Sequence, residues 1–231
     1  MRPTDIRNPD YFHKVVDCQW ACPAHTPVPE YIRLIAAGKH GAAYMVNWWS
    51  NVFPGILGRT CDRPCEPACR RGRVEEGNGE KPEPVAICRL KRVAADLKGD
   101  IRDHLPKPPE LGNGRRIACV GAGPASMTVA RDLALRGYAV TVFDGSPRAG
   151  GMMRSEIPAF RLPTSVIDEE CGHIEALGVA FRSNSWVGSL EALLTEGWDA
   201  VFVGTGAPRG RDIDLPGRSE ASAHIHVGID W

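Results

Sequence analysis

The spacing of apolar positions changes character partway along the chain. In the first hundred residues it follows a helical period. Tyr31, Leu34 and Ile35 share one face of a helix that Pro29 and Glu30 open and Gly38 ends. A second helix is expected over about residues 41–49. A third follows Pro84 and carries Val85, Ile87, Cys88, Leu90, Val93, Ala94 and Leu97 up to Gly99. No run here alternates with period two, so this part reads as helices and loops. Beyond residue 114 short apolar runs alternate with helical ones. Residues 116–120 (RIACV) predict a strand, 124–136 a helix and 138–143 (YAVTVF) a second strand. Later, 163–177 predict a helix, 179–181 a strand, 190–194 a short helix and 200–203 another strand. Alternation of this kind specifies a parallel sheet, and the first strand–helix–strand has the size of a βαβ unit.

The two patterns meet at residues 105–114, LPKPPELGNG, where Pro and Gly mark a linker. The predicted organisation is a helical domain over 1–104 and a Rossmann-like α/β domain over 115–231. No internal repeat or low-complexity tract interrupts either.

Composition narrows the function classes. The 231 residues carry 28 Lys and Arg against 28 Asp and Glu, a zero balance that argues against a nucleic-acid surface as the main role. A hydrophobic share of 43% excludes disorder as a description of the whole chain. No stretch approaches the ~20 apolar residues of a membrane helix. The opening MRPTDIRNPDYFHK lacks the apolar core of a secretory signal, so a cytoplasmic location is expected. In a reducing compartment the eight cysteines are poor disulfide candidates and suggest a metal or a cluster. Cys18, Cys22, Cys61, Cys65, Cys69 and Cys88 lie in the first domain, Cys119 and Cys171 in the second.

Gly121-Ala122-Gly123-Pro124-Ala125-Ser126 stands between the first strand and its helix, where a dinucleotide fingerprint belongs. Gly121 supplies a tight turn, Gly123 lets the backbone approach a pyrophosphate, and the helix N-terminus offers free N–H groups. Asp144, at the end of the second strand, suits ribose hydroxyls. Ser126 takes the place of the third glycine, whose purpose is close helix–strand packing, so a modest cost is expected there. Gly150-Gly151-Met152 and Gly204-Thr205-Gly206-Ala207 leave room for a long ligand across the sheet edge.

Several motifs in order now resemble one family. GAGPAS, FDGSPRAGGMMRSEIPAFRLP and GTGAPRGRDIDLPG are similar to the FAD domain of the glutamate synthase small subunit and its relatives. Upstream, DCQWACP, GRTCDRPCEPACRRG and PVAICRLKR resemble the iron–sulfur domain of the same family, shared with dihydropyrimidine dehydrogenase. The resemblance implies an FAD lying between a nicotinamide site and 4Fe-4S clusters. It implies that Gly121, Gly123 and Asp144 hold the adenosine-diphosphate part. Gly150, Gly151, Arg161, Thr205, Gly206 and Ala207 then lie along the pyrophosphate and flavin, with Val187 beside the adenine. Family members are about twice as long and carry a second, NAD(P)H-binding Rossmann unit. That unit is not visible in this sequence, so a fragment, or a half completed by a separate chain, is expected.

The cysteine spacing Cys61-x3-Cys65-x3-Cys69 is looser than the C-x2-C common in structural zinc sites, and Cys22-Pro23 suits an iron–sulfur ligand. The family's ligand sets cross over between motifs, which implies Cys22, Cys61 and Cys65 in one set. Its fourth place, Gln in some members, falls near Lys91 or Arg92. Cationic side chains do not ligate iron, so Cys88, a turn earlier, is preferred, the alternative being a small core residue. A second set would draw on Cys18 and Cys69, with Asp10 and His13 where the family has earlier cysteines. One cluster is expected, and a second is left open. Cys119, Cys171, Tyr44 and the Trp48-Trp49 pair read as packing, residues 224–226 as a strand end, and the Arg70-Arg71-Gly72-Arg73 run as a solvated face.

The expectation is a flavin-dependent oxidoreductase component. Its FAD exchanges two electrons and its cluster one, with partner subunits and with NAD(P)H only through another half. The rivals are a non-catalytic iron–sulfur assembly or relay subunit with a degenerate flavin fold, and a zinc-stabilised NAD-binding regulator.

Overall fold

The computed structural model describes residues 16–73 and 79–230. Two compact units divide between Leu105 and Pro106. Asp10 and His13 lie outside the described residues.

The first unit is built from α1 (Asp17–Ala21), α2 (Val28–Ala36), α3 (His40–Asn51), α4 (Pro54–Thr60) and α5 (Ile87–Asp96), with a 3-10 turn at Arg70–Arg73. Pro29 sits in the first turn of α2, and Gly38 follows its end with φ +72°. The apolar face of α2 meets α3 and α5 in a core of Val28, Tyr31, Ala43, Cys65, Ile87 and Ala94. The buried Tyr31 hydroxyl donates to the Ile87 carbonyl at 3.0 Å, so the one polar atom of that ring is satisfied. α1 and α4 were not foreseen. Each is shorter than two turns, too short for a helical period to declare itself, and α4 (PGILGRT) contains Pro and two glycines. Packing forms α4: it lies along α5 so closely that a Cβ on Gly58 would stand 2.8 Å from Arg92 Cα.

The second unit is a four-stranded parallel sheet in the order β3-β2-β1-β4. Its strands are β1 (Arg116–Val120), β2 (Ala139–Phe143), β3 (Ala180–Arg182) and β4 (Ala200–Val203). The helices are α6 (Pro124–Ala134), α7 (Met152–Ser155), α8 (Thr164–Glu175) and α9 (Leu190–Thr195). Helical first unit and parallel α/β second unit are the fold class that the apolar spacing predicts. β1 is central, and its Ala118 and Cys119 are wholly buried. In register, Val120 pairs with Phe143 on one side and Val203 on the other, so three strand ends share one edge.

Several local expectations are corrected. α6 and α8 end before the predicted limits, as fraying helix ends do. The one-turn α7 was missed. His224 closes a 3-10 turn, Ser222–His224, rather than a strand. Trp48 and Tyr44 are buried, but Trp49 is half exposed. Arg70 is not simply solvated: it pairs with Asp17 at 3.0 Å. All eight cysteines are free.

Candidate cofactor sites

The first site forms at the shared edge of β1, β2 and β4. Gly121 leaves β1 with φ +92°, a conformation L side chains avoid, and a Cβ there would lie 2.4 Å from the Gly204 carbonyl oxygen. Gly123 caps α6 with no side-chain cap bond, and Pro124 stands in the first turn. Nothing lies within 4 Å of where a Cβ on Gly123 would be. The helix N-terminus thus opens on free space, with Ala125 and Ser126 following in its first turn. The Gly150–Gly151 turn closes against this loop: the Gly150 amide donates to Ala122 O at 2.9 Å, and a Cβ on Gly151 would stand 2.8 Å from Gly123 Cα. Met152 begins α7 directly after it. Gly204 donates to Val120 O at 2.8 Å, bringing Thr205 alongside Gly121.

Asp144 fastens these segments together. Its Oδ2 accepts from the Ala122 amide at 2.6 Å and its Oδ1 from the Ser146 amide at 2.7 Å. Sequence reasoning gave Asp144 a ligand role only; the geometry adds a positional one, holding the glycine loop to the end of β2. Ser126 is wholly buried, its hydroxyl has no partner, and a Cβ on Gly204 would lie 2.2 Å from it. The missing third glycine is thus offset by a glycine on β4's exit, a long-range exchange that no local motif reveals.

Not every predicted residue joins this edge. Val187 packs, partly buried, near Ala118, Val120 and Leu193. Arg161, Gly206 and Ala207 are exposed, and Gly206 has open space where a Cβ would be. Trp186 was overlooked. The Asn184 and Ser185 amides donate to Ser146 O and Asp144 O, and this holds the indole against Gly145 with 85% of the residue exposed. An exposed Trp beside the fingerprint carboxylate is the signal that could have found it.

The second site lies in the helical unit. Because α4 touches α5, Cys61 at the end of α4 comes beside Cys88 in the first turn of α5. The Cys88 thiol donates to Leu57 O at 3.4 Å. The Cys88 thiol hydrogen bond holds Cys61 down, toward thiolate, while that same pairing and burial push Cys88 up. Burial pushes Cys65 up to about 11, opposed by the Lys91 charge and aided by Cys61 and Cys22. Glu66, between Cys65 and Cys69, accepts from the Cys88 amide at 3.0 Å and so caps α5. Cys22 Sγ lies 3.5 Å from Thr26 Oγ1, which accepts from Asn51 Nδ2 at 3.1 Å. Burial first, and then the Cys65, Cys88, Cys18 and Cys22 thiols, push the Tyr31 phenol up. Cys65 therefore feels the charge of Cys61 and Cys22, and Cys88 that of Cys61.

Cys18 packs against the same core and also feels Cys69. Burial pushes the Cys18 thiol up despite backbone hydrogen bonds, with Cys69 and Asp17 adding to the shift. Arg70 and Asp17, neighbours of these cysteines in sequence, form the ion pair that holds the two segments together. Among the described residues no group of three or more His, Cys, Asp or Glu is arranged to hold a single metal ion. Nor is any helix among them long and apolar enough to cross a membrane.

The fold defines a class: a cysteine-bearing helical domain followed by a Rossmann-like α/β domain. Residues 12–102 match the family described as dihydropyrimidine dehydrogenase domain II, 4Fe-4S cluster, and residues 119–169 match the NAD(P)-binding Rossmann-like domain. The chain is 34% identical to the NADP(+)-dependent formate dehydrogenase subunit beta of Moorella thermoacetica, over 93% of this chain and 32% of that protein. It is 33% identical to the NAD-dependent dihydropyrimidine dehydrogenase subunit PreT homolog of Salmonella typhi, over 93% of this chain and 50% of the relative. It is also 33% identical to the NADPH glutamate synthase small chain of Mycobacterium tuberculosis, over 90% of this chain and 41% of the relative. The chain is similar to the N-terminal part of the glutamate synthase small chain and of its dihydropyrimidine dehydrogenase-like relatives. It spans between a third and a half of the length of these curated relatives.

Proposed function

We propose that this chain is an electron-transfer component of a cytoplasmic, NAD(P)H-linked flavin oxidoreductase. In this reading it holds FAD on the α/β unit and at least one 4Fe-4S cluster on the helical unit. The observation that carries the reading is the approach of Cys61 to Cys88 in a unit whose sequence matches the 4Fe-4S family, with Cys65 and Cys22 completing the expected donor set. Four thiolates are the donor set of a 4Fe-4S cluster. The Cys61-x3-Cys65-x3-Cys69 spacing, looser than the C-x2-C of structural zinc sites, favours the cluster over zinc. Free cysteines throughout suit a reducing compartment.

The residues of the α/β unit fit a dinucleotide. The open space over Gly123 admits a pyrophosphate to the N-terminus of α6, where backbone amides and the helix dipole favour it. The lone pairs of Asp144 that the loop leaves unused accept from ribose hydroxyls. Bound FAD supplies the exchange of electron pairs for single electrons. The chain would position it, and the cysteine set would hold the cluster that exchanges single electrons with a partner subunit. Against the degenerate-fold alternative stands the Ser126–Gly204 exchange, which keeps α6 close to the exit of β4.

The test is an absorption spectrum of anaerobically purified protein with iron, sulfide and flavin quantified on one sample. The reading expects flavin bands and about four irons per chain. Zinc without acid-labile sulfide removes the cluster reading, and iron without flavin reduces the chain to a cluster carrier.

A further inference from the structure

Single apolar side chains on a protein surface are ordinary and call for no role. Trp186 differs because it is clamped. The Asn184 amide donates to Ser146 O at 3.1 Å and the Ser185 amide to Asp144 O at 2.8 Å, so the backbone just before Trp186 is tied to the loop that leaves β2. Asn184 makes the bend there, with φ +51°. Val187 packs toward the core beside Ala118, Val120 and Leu193. Trp186 does not follow it. The six-membered part of its indole lies over Gly145, where an added Cβ would stand 3.0 Å from Cε3. The absence of a side chain at Gly145 is what lets the ring rest there. Trp186 is nonetheless 85% exposed, and among the described residues no other ring or cation packs on it. A large flat apolar surface is thus held in place, and left bare, against the residue that follows Asp144.

We propose that Trp186 is a stacking surface for the adenine of a dinucleotide bound at the glycine loop. The proposal rests on the dinucleotide reading given above. A ribose whose hydroxyls reach Asp144 carries its base on the carbon beside those hydroxyls, so the base comes to the surface around that carboxylate, where the indole stands. Every base presents a π-face, and stacking on an aromatic ring needs no hydrogen bond from the protein. Because the two amide bonds fix the segment before the ligand arrives, little side-chain freedom is lost when the stack forms. Trp186 in this role is a binding residue that adds affinity without reading the base edge. Gly145 is a positioning residue and acts only through the ring that rests on it.

The test titrates ADP, FAD and NADH by calorimetry into the full-length chain freed of bound flavin, as the unaltered protein and as Trp186→Ala, Trp186→Phe and Gly145→Ala. ADP affinity should fall about tenfold in Trp186→Ala, about 1.4 kcal/mol. Trp186→Phe keeps a ring and should stay within about threefold of the unaltered chain. Gly145→Ala should weaken ADP binding while Trp186 is present and have no further effect in Trp186→Ala, a coupling that damage to the loop alone would not produce. Equal ADP affinity in Trp186→Ala and the unaltered chain overturns the proposal, and so does a loss in Trp186→Phe as large as that in Trp186→Ala. If NADH binds more tightly than FAD and shows the same dependence on Trp186, the stack stands and the flavin reading falls. If the unaltered chain binds none of the three, the dinucleotide reading falls and takes the proposal with it.

Discussion

The two units build their sites from different parts of the chain. On the α/β unit the site is backbone. Gly121, Gly123, Gly150 and Gly151 contribute turns and open space, and the one functional side chain at its centre, Asp144, is held by two amides. On the helical unit the site is side chain. Cys61 and Cys88 come together only because α4 lies against α5, and the proposed donor set depends on that contact. A backbone site fails when any atom is added. A side-chain site fails when a donor is removed or when the helices that deliver it part. The lesson is that a glycine can be as much a cofactor residue as a cysteine, and that each can be broken without the other.

The sharpest break is expected from Gly121→Val. Its φ of +92° and the 2.4 Å approach to Gly204 O leave a side chain no room. Backbone strain alone costs about 1–3 kcal/mol. Flavin should be lost and the melting temperature lowered, while iron content stays; loss of both cofactors together would show that the units do not fail separately. Next in size is Gly58→Ala. The added methyl pushes α4 off Arg92, a strain of about 1–3 kcal/mol, and separates Cys61 from Cys88. Iron should fall and flavin remain, read on the same preparation.

A smaller effect of opposite sign is expected from Ser126→Ala. It removes a buried hydroxyl with no partner while keeping the small volume, and should stabilise the chain by about 1 kcal/mol in denaturant unfolding, with flavin content unchanged. Smallest is the pH response of Asp96. Partial burial pushes its carboxyl up, but the Arg59 and Arg92 guanidiniums outweigh burial and hold it below the usual carboxylate range. A lowered pKa in the folded chain means that the stabilisation is complete above the unfolded value, about 3.9, and is lost as pH falls through the folded value. Since the group is partly exposed, roughly a few tenths of a kcal/mol is at stake. Asp96→Asn should flatten acid unfolding below about pH 4 by that amount.

Much of this architecture was legible in the linear sequence, for reasons that differ between the units. β1 and β4 were placed to the residue because short apolar runs bounded by Gly and Asp have few alternatives. α2, α3 and α5 were placed because their faces repeat with a helical period. α4 and α7 escaped because a helix of one or two turns carries no period, and its formation depends on packing. In the α/β site the glycine loop was legible since its backbone demands name their residue. Trp186 was not, because only the amide bonds of Asn184 and Ser185 bring it to Gly145. In the helical unit the cysteine spacing marked donors, but the burial of Lys91 emerges only when α5 is folded against its neighbours.

The contact between Ser126 and Gly204 also has a meaning for descent. The two positions share one small volume, so each restricts the mutations the other can accept. Ala at position 204 should be harmful beside Ser126 and less so once position 126 is Gly, with the Phe202 ring still 2.9 Å away, so the pair should depart from additivity in a double-mutant cycle. A lineage can therefore exchange the serine for the fingerprint's usual glycine at any time, but it can enlarge position 204 only afterwards. The order of substitutions is written into the packing.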